Sequence, residues 1–180
     1  MDIVIRPSEG DWSSVSDPTQ AIANWEKQTG KTIPDDYRTF LEMYNGGRIY
    51  PLIFDRKIPD EVYSMGEPAT FVNTFYDWSM VEDILNGGIF DKRNPPDMLA
   101  IGSTPGGIEI LLSLNESSYG KVFLWLHSQS AWGEAGNDKA WPQDESFRSF
   151  IRSLYENEDH EGHDYWYLPS KKGTEKKVEL

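Results

Sequence analysis

The sequence predicts an α+β domain in which helices flank a central antiparallel or mixed sheet. Helical periodicity occurs near both ends of the chain, and residues that favour strands fill much of its middle. At 180 residues, the chain has the length of one domain and can bury a substantial core. We therefore expect a single domain over residues 1–170, followed by a disordered polar tail over residues 171–180.

The first predicted helix runs from Asp17 to Thr29. Asp17 is a favoured N-cap residue, Pro18 suits the first helical position, and Gly30 is a favoured residue after the last turn. These signals give the helix a beginning and an end that do not depend on its surroundings.

A second helix is predicted to begin near Pro34 and to end at Asn45-Gly46-Gly47, since these last residues tolerate positive φ angles. Its apolar residues follow the spacing i, i+3, i+4, i+7, which places them on one buried stripe. They are Tyr37, Phe40, Leu41 and Tyr44.

The middle of the chain predicts strands interrupted by one short helix. The strand-favouring segments are residues 48–54, 69–78, 98–101, 108–114 and 121–127. Pro51 indicates an edge or a bulge in the first of them, and a capping box from Ser79 to Glu82 predicts the short helix. The last two strands contain successive apolar residues, which is typical of strands covered on both faces.

The C-terminal third predicts a long loop over residues 128–143 and a last helix over residues 144–156. Two tryptophans in that loop, Trp132 and Trp141, lie close to acidic residues. Exposed aromatic residues of this kind are enriched in protein interfaces, but the same residues could fold back as a lid over the sheet. The sequence leaves both interpretations open.

The chain has 17 basic and 30 acidic residues, for a net charge of −13. Such a charge should repel nucleic acids and anionic membranes, so we expect neither as a partner. The N-terminus lacks a signal-peptide pattern and no apolar run could span a bilayer, so we expect a cytoplasmic protein. The acidic residues are densest over residues 156–164. This segment is either a solvated face or a surface that attracts a basic protein.

The sequence contains no pattern that predicts catalysis. The absence of cysteine excludes disulfides, thiol catalysis and cysteine-ligated metals. The run from Gly102 to Gly106 resembles a nucleophile elbow, but its central residue is Thr104, so a turn before the next strand is the better interpretation. We expect no catalytic residue, no metal and no cofactor.

Two histidines, His160 and His163, lie among the acids of residues 159–164, but a glycine-containing loop is a poor metal site. A hydrolase that uses this cluster, or a pair of carboxylates, is the least favoured alternative.

The run from Thr32 to Leu41, followed by Tyr44-Asn45-Gly46-Gly47, resembles the N-terminal signature of the SMI1/KNR4 family. Weaker similarities follow in order, at Leu99–Gly102 with Gly106-Gly107, at Lys121–Trp125, and at Phe147, Phe150 and Ile151. The resemblance covers residues 18–156, and it places the chain with the SUKH superfamily of bacterial immunity proteins and fungal cell-wall regulators.

That resemblance implies a protein that is not an enzyme. An immunity protein would bind a cognate toxin delivered by a neighbouring bacterium and occlude its active site. A toxin with a basic active-site cleft would suit the acidic charge of this chain. The fungal branch implies the alternative, a non-catalytic scaffold or regulatory protein that binds cellular proteins.

We expect the contacts with a toxin to lie on loops and at the ends of elements, on acidic and aromatic side chains. The predicted contact residues are Asp55, Asp77, Glu82, Asp83, Glu109, Trp132, Glu134, Asp138 and Trp141.

Overall fold

The computed structural model describes residues 2–7, 17–63, 66–91, 93–134, 136–163 and 175–180. In these parts of the chain the helices are α1 Pro18–Thr29, α2 Asp35–Tyr44, α3 Trp78–Leu85 and α4 Phe147–Ser153, with a 3₁₀ turn at Glu116–Ser118. The strands are β1 Val4–Arg6, β2 Arg48–Tyr50, β3 Ile53–Asp55, β4 Ala69–Phe71, β5 Thr74–Phe75, β6 Met98–Ser103, β7 Ile108–Ser113, β8 Val122–Leu126, β9 Trp141–Asp144 and β10 Lys176–Lys177. The α+β class is confirmed.

The strands form three antiparallel sheets among the described residues. The largest has five strands in the order β5-β6-β7-β8-β9, and the others have the orders β10-β1-β2 and β3-β4. Consecutive strands pair in the large sheet, as short connections favour. No helix in the described ranges combines the length and hydropathy needed to cross a bilayer.

The two N-terminal helices form where the sequence predicts them. The Asp17 carboxylate accepts hydrogen bonds from the backbone N–H groups of Thr19 and Gln20, and Gly30 ends α1 with a φ of 69°. In α2 all four residues of the predicted stripe are buried, and Asn45 ends the helix in the left-handed conformation. Local signals and core packing agree here, which explains the success of the prediction.

The short helix α3 begins two residues earlier than the capping box from Ser79 to Glu82 predicts. Its N-cap is Asp77, whose carboxylate accepts a hydrogen bond from the Met80 N–H at 2.9 Å. This start brings Trp78 into the helix, where it is buried and packs edge-to-face against Trp25 at 5.6 Å between ring centroids. The capping box at Ser79 is therefore wrong, because the earlier start buries a tryptophan.

Both segments predicted as single strands in the first half are divided. The segment 48–54 breaks at the cis peptide between Tyr50 and Pro51, and its halves, β2 and β3, join different sheets. Proline has no backbone N–H for a ladder, which explains the break. The segment 69–78 divides into β4 and β5 and then enters α3.

The C-terminal third differs from its prediction in two elements. The predicted loop 128–143 ends in an edge strand, β9, which pairs with β8. The last helix is shorter than predicted: α4 begins after a capping box between Ser146 and Ser149 and ends before Leu154.

The predicted disordered tail also differs, where it is described. Residues 176–177 form β10 against β1, and the Tyr44 hydroxyl donates to the Lys177 carbonyl at 2.7 Å. Val178 and Leu180 pack against the core, a contact that a lysine-rich composition does not reveal. Residues 171–174 lie outside the described residues.

The two faces of the five-stranded sheet are both covered, as the successive apolar residues predict. Side chains alternate along β7, so that Ile108, Ile110 and Leu112 face the main core, which includes residues of α1, α2 and α4. The opposite side, which we call the second face, carries Glu109 and Leu111. Its cover consists of α3, the turn of residues 86–91 and the loop of residues 128–140, of which Ala135 is not described.

Candidate functional site

The cover and the second face enclose a small apolar cluster of their own. Its buried members come from three strands of the sheet and from the helix side of the cover: Ile84, Phe90, Ala100, Leu111 and Trp125. Trp132 and Ala140 of the loop pack against the same cluster. The helix and the loop therefore form one layer over this side of the sheet.

A buried asparagine anchors the loop to the sheet. Asn137 is 1% exposed, and its Oδ1 accepts a hydrogen bond from Trp125 Nε1 at 2.7 Å. Its Nδ2 donates to the carbonyls of Arg93 and Ser130 at 2.7 and 2.9 Å. Both ends of the amide are satisfied, so this one side chain fixes strand β8, the loop and the segment after the turn relative to one another.

An arginine just after the turn of residues 86–91 has a similar role. The Arg93 guanidinium donates to the carbonyls of Ile89, Phe90 and Ser128 at 2.8 to 2.9 Å. These bonds link the turn to the beginning of the loop. Burial, together with the charge of Arg93, lowers the pKa of His127 below its usual value, so His127 is neutral at pH 7.

The cover carries five carboxylates without a basic partner among the described residues; one is Asp91 of the turn, and the other four lie on the helix and the loop. Glu82 and Asp83 lie on α3, and Glu134 and Asp138 lie on the loop; Glu82 is half-buried and the other three are exposed. None of the five forms an ion pair with another described residue. Their charges are therefore not compensated locally.

Some acids elsewhere in the described chain have basic partners, although more have none. Glu26 pairs with Arg38, Asp97 with Lys31, Glu145 with Lys121 and Glu175 with Arg6. The unpaired acids of the cover are accompanied by Ile89, which is 57% exposed. Unpaired charge beside an exposed apolar side chain is typical of a surface that binds another molecule.

Glu109 lies beneath the cover and is 6% exposed. Its Oε2 accepts a hydrogen bond from the Tyr76 hydroxyl at 2.7 Å. Burial raises the pKa of Glu109 to about 7, although the bond from Tyr76 acts in the opposite direction. Burial and the neighbouring Glu109 also raise the pKa of Tyr76 well above its usual value.

Two predicted contact residues are thus not on the surface. Their acidic side chains and their expected position on loops or at the ends of elements predicted that Glu109 and Asp77 would be exposed. Asp77 is 7% exposed and caps α3, and Glu109 faces the covered side of the sheet. The expectation of exposure is wrong for both, because the alternation of a strand does not reveal which of its faces is covered.

The two tryptophans lie on opposite faces of the sheet. Trp132 packs half-buried against the second-face cluster, in the manner of a lid. Trp141 lies on β9 opposite Leu124 and packs against the main core. Asp55 is exposed on β3, where it accepts a hydrogen bond from the Tyr155 hydroxyl at 2.7 Å.

Seven of the nine predicted contact residues therefore lie in the cover, at the N-cap of α3 or on the sheet face beneath the cover. They are Asp77, Glu82, Asp83, Glu109, Trp132, Glu134 and Asp138. Asp55 and Trp141 lie elsewhere. The sequence did not predict that Asn137 and Arg93 anchor the cover, because no motif distinguishes a buried asparagine or arginine from a solvated one.

The two histidines of the acidic segment have local partners. His160 Nδ1 accepts a hydrogen bond from the Gly162 N–H at 3.0 Å, and His163 lies 3.7 Å from Glu156. Asp164 lies outside the described residues. No three histidine or acidic residues among those described are placed to hold a metal ion. Residues 104–107 form the turn between β6 and β7, as predicted.

Comparison with known proteins gives two matches. Residues 18–153 match the model of the SMI1 / KNR4 family (SUKH-1). The "SPbeta prophage-derived uncharacterized protein YokK" of Bacillus subtilis (strain 168) is 24% identical over 123 residues, which is 62% of this chain. The match likewise spans 62% of the length of that relative. No solved structure matches the chain.

The family match extends over well more than half of the chain and includes the signature run at the start of α2 together with the sheet. Members of this superfamily are generally non-catalytic. The chain belongs to the SMI1/KNR4 family (SUKH-1).

Proposed function

We propose that this chain is a bacterial immunity protein, which binds a cognate toxin and neutralises it by occluding its active site. The observation that carries the proposal is the set of unpaired carboxylates on the cover of the second face. Family membership supports a role in binding proteins, and a match to a prophage-derived relative is compatible with a role in competition between bacteria. In this role the protein acts in the cytoplasm and makes or breaks no covalent bond.

The electrostatic support comes from the distribution of charge. Residues 78–91 contain three acids and no base, and residues 128–140 contain two acids and one base. Because these charges are not compensated by neighbours, their field extends into solvent and attracts a basic partner. Toxins that act on nucleic acids or nucleotides often present basic clefts, and a surface of this kind would associate with such a cleft rapidly.

The anchoring of the cover supports a preformed binding surface. The hydrogen bonds of Asn137 and Arg93 hold the loop in place before any partner arrives. A surface that is already ordered loses little conformational entropy on binding, which favours high affinity.

The decisive experiment combines binding with rescue of growth. The product of the gene directly upstream is used as the candidate toxin in a pull-down, and its toxicity is measured with and without this protein. We expect a stable complex and restored growth. A complex with ordinary cellular proteins and no rescue would favour the scaffold or regulatory alternative.

Charge reversal tests where the toxin binds. The double variant Asp83→Lys, Glu134→Lys should slow association and weaken its dependence on salt. Glu158→Lys, compared with each of the two single variants, is the matched control, since it reverses one exposed acid outside the cover. Equal association rates for the double variant and the wild type would contradict the proposed surface.

A further inference from the structure

Glu109 occupies an unusual position for an acidic residue. It lies in the middle strand of the five-stranded sheet, paired with Ser103 of β6 and with Trp125 of β8. Its side chain is directed to the second face, near the end of the sheet where the β6–β7 turn begins. A carboxylate in such a place normally has several hydrogen-bond partners or a basic partner.

The carboxylate has one partner among the described residues. Tyr76 donates to Oε2, and Oε1 accepts no hydrogen bond. The fully enclosed polar side-chain atoms without a partner in the described chain are Tyr37 Oη, Arg56 Nε, Trp78 Nε1 and His127 Nδ1. Oε1 of Glu109 is not one of them, so it retains contact with solvent although the rest of the side chain is buried.

No basic group of the described chain compensates this carboxylate. The Arg93 guanidinium, which follows the turn of the cover, donates to three backbone carbonyls. His127, on the adjacent strand end, has a lowered pKa and is neutral at pH 7. Tyr76 is a neutral donor. Arg93 keeps its charge but directs its donors to backbone carbonyls, and the pKa of Glu109 is shifted by burial and by Tyr76, not by a neighbouring charge. Oε1 therefore has a free acceptor position.

We propose that Glu109 is the receptor for one basic side chain, a lysine or an arginine, which the partner protein inserts against the open oxygen Oε1. Tyr76 holds the other oxygen and so orients the carboxylate before the partner arrives. The unpaired acids of the cover attract the partner, and Glu109 supplies a desolvated charge pair within the interface. This inference rests on the proposed function and names the chemistry that the bound toxin supplies.

Pairing of Glu109 with a basic side chain should change its protonation. With a pKa of about 7, Glu109 is partly protonated at neutral pH. An incoming cation favours the ionised carboxylate, so binding releases a proton and lowers the apparent pKa of Glu109. Tyr76, Ser103 and Trp125, which surround the carboxylate, contribute no charge that would mask this change.

The site can be tested without the toxin. The full chain, labelled with ¹³C at glutamate side chains, is titrated with pH by NMR in the presence of ethylguanidinium or n-butylammonium at millimolar concentrations. We expect saturable binding that lowers the pKa of Glu109 by about one unit. The carboxyl of Glu82 in the same sample is the internal reference, and a shift no larger at Glu109 than at Glu82 would overturn the inference.

A variant separates the specific site from general attraction. Glu109→Gln retains the size of the side chain and removes its charge, so the probes should no longer shift the amide signals of Tyr76 and Ser103. Glu158→Gln, which removes an exposed charge elsewhere, should leave those shifts unchanged. Identical probe-induced shifts in the Glu109→Gln variant would also overturn the inference.

The toxin then distinguishes this inference from the proposed function. We expect Glu109→Gln to bind the toxin at least about 30-fold more weakly than the wild type, because a basic side chain would be buried without its partner. Equal affinity would overturn the inference and leave the proposed function standing. Failure of the toxin to bind the wild type, with the probes still bound at Glu109, would instead refute the proposed function and retain the cation site.

Discussion

The two faces of the five-stranded sheet differ in composition and in the way their polar groups are satisfied. The main face joins a large core in which aromatic rings pack edge-to-face, as Phe147 does with Phe40 and Phe75 at 5.0 and 5.5 Å. The second face has a buried cluster of five residues, of which Trp125 is the largest. Its cover is fixed by hydrogen bonds of Asn137 and Arg93 and carries unpaired acids.

This difference indicates a division of roles within one sheet. Apolar area buried at the main face supplies most of the folding free energy, because the hydrophobic contribution scales with that area. The second face buries less and keeps a carboxylate, Glu109, that opposes folding when it is ionised. A buried ionisable group with a raised pKa is a candidate for a functional role, which agrees with the proposed function.

The largest effect is expected from a change in the main core. Phe147→Ala should lower the free energy of unfolding by about 3–5 kcal/mol, because it removes a fully buried ring and leaves a cavity. Chemical denaturation measures this loss. Trp132→Ala, at the half-buried edge of the second face, is the comparison variant; a loss as large as that of Phe147→Ala would contradict the division of roles.

A somewhat smaller change in the free energy of unfolding is expected from Glu109→Gln, and this change depends on pH. The pKa of Glu109 is about 7 in the folded protein and 4.5 for the ordinary group. Its protonated form therefore stabilises the fold below pH 4.5, and this contribution is lost as the pH rises through 7. Glu109→Gln should be more stable than the wild type by about 3 kcal/mol at pH 8, with little difference at pH 4.

The measurement for Glu109 is denaturant unfolding at several pH values. Glu82→Gln, which removes a more exposed acid of the cover, provides the baseline for the general effect of one charge. The difference in the free energy of unfolding between wild type and Glu109→Gln should change between pH 4 and pH 8. A constant difference would contradict the burial of this carboxylate.

An intermediate effect is expected from the anchor of the loop. Asn137→Ala leaves the Trp125 N–H and the carbonyls of Arg93 and Ser130 without their partner, which should cost about 2 kcal/mol. Amide hydrogen exchange in residues 128–140 should accelerate more than in α2. Asp138→Ala, at the exposed neighbouring position, should leave exchange in the loop unchanged; uniform acceleration across the protein would argue against a local anchor.

The smallest effect is expected at the start of α3. Asp77→Ala removes the acceptor of the Met80 N–H and should cost about 1 kcal/mol. Thermal unfolding measures this change, and Asp83→Ala on the same helix is the control. The result shows whether Asp77 stabilises the helix that covers the second face. An unchanged midpoint for Asp77→Ala would contradict its role as the N-cap.

Sequence reasoning succeeded where local chemistry and packing agree. The first two helices were predicted with their ends, because Asp17, Gly30 and Asn45 have conformational preferences that act within a few residues. The central strands were predicted, together with their coverage on both faces, from successive apolar residues in β7 and β8. Family membership followed from the signature run at α2, which is also local.

The errors share a physical origin in contacts between distant segments. Trp78 enters α3 because Trp25 packs against it, and β10 forms because β1 and Tyr44 offer hydrogen bonds to the end of the chain. Asp77 and Glu109 are buried because other segments cover them. The sequence around each of these residues does not reveal whether a distant segment packs against it.

The sequence alone determined the net charge and the boundaries of α1 and α2, because the caps of these two helices depend on residues within one or two turns of one another. The three-dimensional arrangement alone decided which face of the sheet receives the cover, how Asn137 and Arg93 fix it, and which acids remain without a partner. Burial and ion pairing are properties of segments brought together from far apart in sequence. The candidate binding surface is such a property, since the acids that define it are spread over helix α3 and a loop about fifty residues later.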